Sequence, residues 1–252
     1  MPQDLSVSSA HMVKNVLRLL RPHKLVGASK VRTGRFFDGG YVMLDRFEGV
    51  QAAYSLGIND DVSWDLDMAR RGIPVYQYDH TIEGLPEEHE LFHWEPKCIS
   101  GIGDEDNGVE TLEGLMAKNG HSDYDNMILK CDIEESEWLL LEKTPNSVLK
   151  KFSQIVIELH NMGYLTDTYH GNNVRRAIAN LTSSHRVVHV HANNFAQWSV
   201  IGGIPVPAVL EVSLVRTSEG DLVQSDEVFP TAMDMPCHAG EADMYLGRFE
   251  FL

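Results

Sequence analysis

Apolar positions along the chain fall into short runs separated by stretches in which they recur with helical spacing. Residues 10–21 set Met12, Val13, Val16, Leu17, Leu19 and Leu20 at mixed i, i+3 and i+4 intervals, which predicts an amphipathic helix. Asp38-Gly39-Gly40 then signals a tight turn into apolar Tyr41–Leu44. Strand-like runs follow at 52–58, 74–79, 97–102, 126–133 and 153–160, with helix-like segments between them at 62–72, 107–120, 135–143 and 174–183. Alternation at the length of a βαβ unit predicts an α/β fold with a doubly wound, mostly parallel sheet. Residues 187–192 and 209–216 are again strand-like, but a Gly/Pro-rich loop and no helix joins them, which predicts an antiparallel C-terminal edge. The expected organisation is a single domain, 51–252, with an N-terminal helical extension and the DGGY segment in 1–50.

Composition narrows the function classes. The chain has 252 residues, 43% hydrophobic and 23% charged, which excludes wholesale disorder and allows a substantial core. No run approaches the roughly 18 apolar residues of a membrane span, and the N-terminus has no basic-then-apolar leader pattern. Cys98, Cys131 and Cys237 are too few and scattered for a disulfide framework, so a reduced, cytoplasmic protein is expected. Twenty-one Lys and Arg against thirty-seven Asp and Glu give a formal charge of −16, with no basic run. A nucleic-acid partner is therefore not expected, nor a membrane; a small phosphorylated ligand stays open.

In open α/β sheets ligands sit beyond the carboxyl ends of the strands, so polar residues there are the candidates. Gly57, after the first run, lets a ligand approach the backbone, although an ordinary strand-to-helix turn would look the same. Asp79 ends the next run and can accept both hydroxyls of a ribose. Gly101-Ile102-Gly103-Asp104 follows the third, with an apolar side chain to cover a purine and Asp104 to accept from its amino group. Three such ends in succession carry more weight than any one.

Later strand ends are richer in metal-binding groups. Asp132 opens a segment with four carboxylates, and Glu158 and His160 share one face of their strand. Together they form an N/O donor set suited to a divalent ion; a salt-bridge and helix-capping cluster is the alternative. His189 and His191 share another face, followed by Asn193 and Asn194. His191 is a candidate general base or further ligand, and the two amides can bind sugar hydroxyls. Phe36, Phe37, Trp94 and Trp198 are read as core packing ahead of sugar stacking.

The set Arg35…Asp38-Gly39-Gly40-Tyr41, Ser55-Leu56-Gly57…Asp60-Asp61, Asp79, Lys130…Asp132-Ile133-Glu134…Glu137-Trp138 and Glu158-Leu159-His160 resembles FkbM-type, S-adenosylmethionine-dependent methyltransferases over about residues 30–215. The resemblance implies a seven-stranded, Rossmann-like methyltransferase sheet and methyl transfer to an oxygen, often a sugar hydroxyl. It implies a cofactor site of Ser55, Gly57, Asp61, Asp79, Ile102, Gly103 and Asp104. A divalent metal (Mn, Fe or Mg) would lie on Asp132, Glu158 and His160. His191, ahead of Glu134, is the expected base, and Arg35, Asp38, Gly39, Tyr41, Asn193 and Asn194 the expected substrate contacts. The chain departs from the family in carrying Glu135 where glycine is usual, and in a cofactor loop poorer in glycine.

The expected partner is a small sugar-type substrate, with room for a homo-oligomer. Two other readings stay open at this point: a non-catalytic metabolite-binding protein on the same scaffold, and a nucleotide-sugar-modifying enzyme. The second would carry a G-x-G-x-x-G turn and a Tyr-x-x-x-Lys pair, and neither is present.

Overall fold

The computed structural model describes residues 2–251. Its core is a seven-stranded sheet: β1 (Ala52–Leu56), β2 (Val75–Tyr78), β3 (Phe92–Glu95), β4 (Met127–Cys131), β5 (Phe152–Leu159), β6 (His185–Ala192) and β7 (Leu210–Arg216). The strands lie in the order β3-β2-β1-β4-β5-β7-β6. All run parallel except β7, which pairs antiparallel with both β5 and β6. This is the doubly wound, Rossmann-like methyltransferase sheet with an antiparallel insertion near its C-terminal edge. Every residue of β1, β4 and β5 is buried, as expected for strands covered on both faces.

Helices cover both faces: α1 (Pro2–Leu17), α2 (Ser63–Arg70), α3 (Leu112–Lys118), α4 (Glu137–Lys143), α5 (Asn146–Leu149) and α6 (Thr168–Thr182). On α6, Val174, Ala177, Ile178 and Leu181 form one buried stripe, and Asp167 caps the first turn by accepting from the Tyr169 and His170 amides. From α1 and the turn after it, Val13, Val16, Leu17 and Leu20 enter the same core as the sheet. Met12 and Leu19, expected on that stripe, are exposed on its flanks. Residues 30–33 and 41–44 make an antiparallel hairpin whose second strand is fully buried. No helix among the described residues is long and apolar enough to cross a membrane.

The third strand differs from expectation. The run 97–102 supplies only the two-residue strand Cys98–Ile99, paired with Val109–Glu110 outside the main sheet. The sheet edge is β3, Phe-His-Trp-Glu, where half-buried and exposed residues alternate. A strand with one half-covered face and one exposed face needs no continuous apolar run, so periodicity passed over it. The helix expected over 107–120 is shortened for the same local reason, its first residues being used in that small pairing.

Candidate active site

The chain leaves β1 for β2 and β3 on one side and returns to β4 on the other. The sheet therefore reverses direction between β1 and β4, and a cavity of about 650 Å³ opens there at the carboxyl ends of the strands. Gly57 marks the closest approach. Its φ is +80°, and a Cβ built on it would lie 1.6 Å from the Asp132 carbonyl oxygen, so no other residue fits between the ends of β1 and β4. The buried Lys130 ammonium donates to the Gly57 carbonyl at 2.6 Å and fixes the turn from below.

Asp79 ties two turns together. One carboxylate oxygen accepts from the Ile58 and Asn59 amides at 2.8 and 2.9 Å, the other from the Thr81 amide and hydroxyl at 2.8 and 2.6 Å. Burial opposes its ionisation, but these donors outweigh it and hold the carboxyl below its ordinary range. Asp61 also lines the cavity, capping α2 through the Ser63 amide and hydroxyl, with Arg35 Nε 3.5 Å away. Ser55 is fully buried inside β1 and does not reach the cavity.

Ile102, Gly103 and Asp104 lie outside the cavity lining, and Lys97, Cys98 and Ile99 form that wall instead. The cause is the position of β3: the turn facing the cavity begins at residue 96, so 101–104 has already passed over α4, where a Cβ on Gly101 would strike the Leu139 carbonyl. Asp104 spends both oxygens on Asn107.

At the other end of the cavity Asp132, Glu158 and His160 come together, each with a ligand-competent atom within 4.8 Å of the others. His160 Nε2 faces Glu134 Oε2 at 3.4 Å, Glu158 Oε2 at 3.6 Å and Asp132 Oδ1 at 4.0 Å. Its other nitrogen, Nδ1, is 3.1 Å from Oε1 of fully buried Glu137, which also accepts from the His160 amide at 2.8 Å. Trp138 Nε1 donates to the His160 carbonyl at 3.0 Å. A carboxylate that fixes one imidazole nitrogen and leaves the other aimed at acidic groups is the arrangement that orients histidine toward a cation.

The local charge fits that arrangement. Burial, then the charges of Asp132 and Glu211, push Glu158 well above the ordinary carboxylate range. Burial alone would lower His160, but the Glu137 hydrogen bond and the surrounding carboxylates raise it. A divalent ion would relieve the crowding of negative charge, and two oxygens with one nitrogen suit a hard or borderline ion.

The hairpin loop closes the cavity from above. Arg35, Asp38, Gly39 and Tyr41 line it, and the Tyr41 hydroxyl lies 3.5 Å from Asp132 Oδ2. Gly39, at φ +81°, leaves room for Asp61, whose Oδ2 would lie 2.1 Å from a Cβ there. Asn193 reaches the cavity and donates to Glu158 Oε1 at 2.6 Å. Asn194 does not line it; its amide holds the C-terminal segment through His238, Glu241 and Ala242 carbonyls.

His191 is likewise placed elsewhere. Nδ1 is 2.7 Å from Glu211 and Nε2 is 3.1 Å from Asp243. Burial resists its charging, yet the Asp243 and Glu211 hydrogen bonds push it up to about 10, so at neutral pH the ring holds a proton on each nitrogen and cannot accept another. Glu134 lines the cavity rim with an exposed side chain. Glu135 lies outside the lining, at φ +74°, a left-handed conformation that glycine adopts without steric cost. Phe36, Phe37 and Trp198 are exposed rather than in the core, and the aromatic side chains on the cavity include Tyr41, Tyr78 and Phe195.

Sequence reasoning did not single out Glu211, Lys97 or Phe195, and placed Glu137 in a motif without giving it a role. For Glu211 a signal existed: it is an acidic residue inside an otherwise apolar run, Val-Leu before it and Val after it.

No family model matches the chain. Over 118 residues it is 28% identical to the human (Homo sapiens) protein named probable methyltransferase-like protein 24, and 27% identical to its rat (Rattus norvegicus) counterpart. The match covers 42% of this chain and 32% of each relative, so the chain spans about a third of the length of the curated relatives it matches.

Proposed function

We propose that the chain is an S-adenosylmethionine-dependent O-methyltransferase, assisted by a divalent metal and acting on a hydroxyl of a sugar-type metabolite. The observation that carries this reading is the meeting, in one cavity, of Gly57, Asp79 and Ile99 at and beyond the ends of β1–β3 with a cation-competent triad at the ends of β4 and β5. The similarity to methyltransferase-like proteins, partial as it is, points the same way.

The cofactor fits the residues present. Gly57 leaves the backbone bare where its amino-acid part would lie, and Ile99 with Cys98 offers an apolar wall for adenine. Asp79 binds the ribose if Thr81 Oγ1 rotates away and frees one lone pair; its three backbone-amide bonds, from Ile58, Asn59 and Thr81, stay in place. S-adenosylmethionine supplies a methyl group already activated as a sulfonium. Asp132, Glu158 and His160 would hold the metal, whose positive charge would make the proton of an acceptor hydroxyl easier to lose.

The chain's own residues align and deprotonate. Asn193 and Glu137 keep Glu158 and His160 in place, and Arg35, Asp38 and Tyr41 shape the acceptor's half of the cavity. Glu134, an exposed carboxylate on the rim 3.4 Å from His160 Nε2, is the group we assign to take the hydroxyl proton. General-base help of this kind contributes about 10²–10⁴-fold.

The test combines titration with S-adenosylhomocysteine and transfer of labelled methyl from S-adenosylmethionine to a panel of saccharides and nucleotide-linked sugars. Transfer to a hydroxyl that stops on chelation, returns with Mn²⁺ and is lost in Asp132→Asn is expected. Cofactor binding with full transfer after exhaustive chelation would remove the metal from the reading; no cofactor binding would overturn it entirely.

A further inference from the structure

A second group of metal-ligating side chains lies one strand beyond the first. Glu158 on β5, Glu211 on β7 and His191 on β6 are direct cross-strand partners and so form one row on one face of the sheet. Cys237, from the C-terminal segment, completes the group: its Sγ is 3.1 Å from Glu211 Oε1, while His191 Nδ1 is 2.7 Å from Glu211 Oε2. One ligand atom from each of His191, Glu211 and Cys237 lies within 4.8 Å of the others, and all three residues are buried. None lines the cavity.

From this geometry we infer a second metal site, in which Cys237 Sγ, His191 Nδ1 and the Glu211 carboxylate hold a zinc ion, a water molecule completing its four ligands. The donor set decides the metal: a thiolate and an imidazole with one carboxylate favour zinc over magnesium or calcium. Asp243 orients the ring. It can only accept, so it keeps a proton on Nε2 and leaves Nδ1 as the ligand nitrogen. His160 in the cavity is arranged the same way with the nitrogens exchanged, Glu137 holding Nδ1 and Nε2 facing the donors. Binding of Zn²⁺ displaces two protons, one from the Cys237 thiol and one from His191 Nδ1, and charge balances. In tetrahedral zinc coordination a sulfur and an oxygen lie about 3.5 Å apart, a small opening from the distance found without the ion.

The site has something to hold. Beyond Gln224 the described chain forms no helix or strand, only an isolated bridge between Phe229 and Gly247. Its attachment to β6 and β7 is through side chains: Asp234 to His189 at 2.7 Å, Asn194 to the 238–242 backbone, and Cys237 with Asp243 around His191 and Glu211. A zinc ion joining Cys237 to two strands would staple this coil to the sheet edge.

Chelator-stripped full-length protein reloaded with Co²⁺ tests the site through the thiolate-to-cobalt charge-transfer band. The band is expected in the wild type, in Asp132→Asn, which lacks the cavity site, and in Cys98→Ser. It should vanish in Cys237→Ser. Absence of the band from the wild type, its survival in Cys237→Ser or its loss in Cys98→Ser would overturn the site. Should Cys237→Ser fail to fold, zinc-edge X-ray absorption of Asp132→Asn protein decides: one sulfur at about 2.3 Å is expected, and a shell of nitrogen and oxygen alone overturns it. Failure of the methyltransferase reading would leave all these outcomes unchanged.

Discussion

Glu137 and His160 are joined twice by one atom: Oε1 of the carboxylate accepts from the His160 amide at 2.8 Å and lies 3.1 Å from its Nδ1. The first turn of α4 thus sets both the backbone and the ring at the end of β5. The Asp-Ile-Glu-x-x-Glu-Trp segment and the Glu-Leu-His segment, far apart in sequence, are two halves of one clasp.

Glu137→Gln tests this as a positioning role. The amide can no longer hold Nδ1 as a charged acceptor, and metal affinity should fall about 10–100-fold. Turnover at saturating metal should recover toward the wild-type value, so a metal titration of activity separates a displaced ligand from a damaged fold. Loss of turnover that excess metal does not restore would count against it.

Gly57→Ala should be severe. A Cβ at 1.6 Å from the Asp132 carbonyl forces β1 and β4 apart in a backbone already at φ +80°. A loss of about 2–4 kcal/mol, with S-adenosylhomocysteine binding abolished, is expected in urea denaturation and calorimetry. Glu135→Gly, at another left-handed position, should by contrast leave stability and binding unharmed.

Asp79→Asn removes the charge on which four donors converge and presents an N–H toward at least one of them. Each charge-assisted bond is worth roughly 1.5–3 kcal/mol, so affinity for S-adenosylhomocysteine should drop tenfold or more. Titration calorimetry would read this directly, and unchanged affinity would return Asp79 to a purely turn-forming role.

Acid should destabilise the protein through His185. Burial holds its imidazole down to about 4 from an ordinary 6.5, with Nε2 donating to the Phe152 carbonyl at 2.8 Å. The folded state needs the neutral ring, so its contribution is complete above pH 6.5 and is lost as pH falls from there to about 4. The full loss is about 3 kcal/mol. Urea denaturation across this window should show a flatter acid limb for His185→Gln, whose amide can still donate to Phe152.

Much of this was legible in the sequence, for identifiable reasons. β1, β4 and β5 are buried on both faces and announce themselves as apolar runs, and their polar ends carry Gly57, Asp132, Glu158 and His160 into one cavity. β3 was not legible, because an edge strand with His93 and Glu95 on its open side has no such run. That one displacement put the expected adenine wall at Ile102, whereas Ile99 is the residue that lines the cavity. His191 was misjudged for a different reason: residue type and strand position cannot tell how many carboxylates a fold gathers around a ring, and here Glu211 and Asp243 arrive from 20 and 52 residues away.

The antiparallel β7 has a consequence for the order of assembly. β6 pairs its backbone with the sheet only through β7, although β6 is made first. A nascent chain that has emerged only as far as residue 209 can dock β1 through β5 with their helices, but its eight-residue β6 has no seat, and the outer edge of β5 stands open. Synthesis of the next seven residues supplies both missing pairings at once and brings Glu211 between Glu158 and His191. The sheet is therefore closed from its middle outward, with the last strand made acting as its keystone.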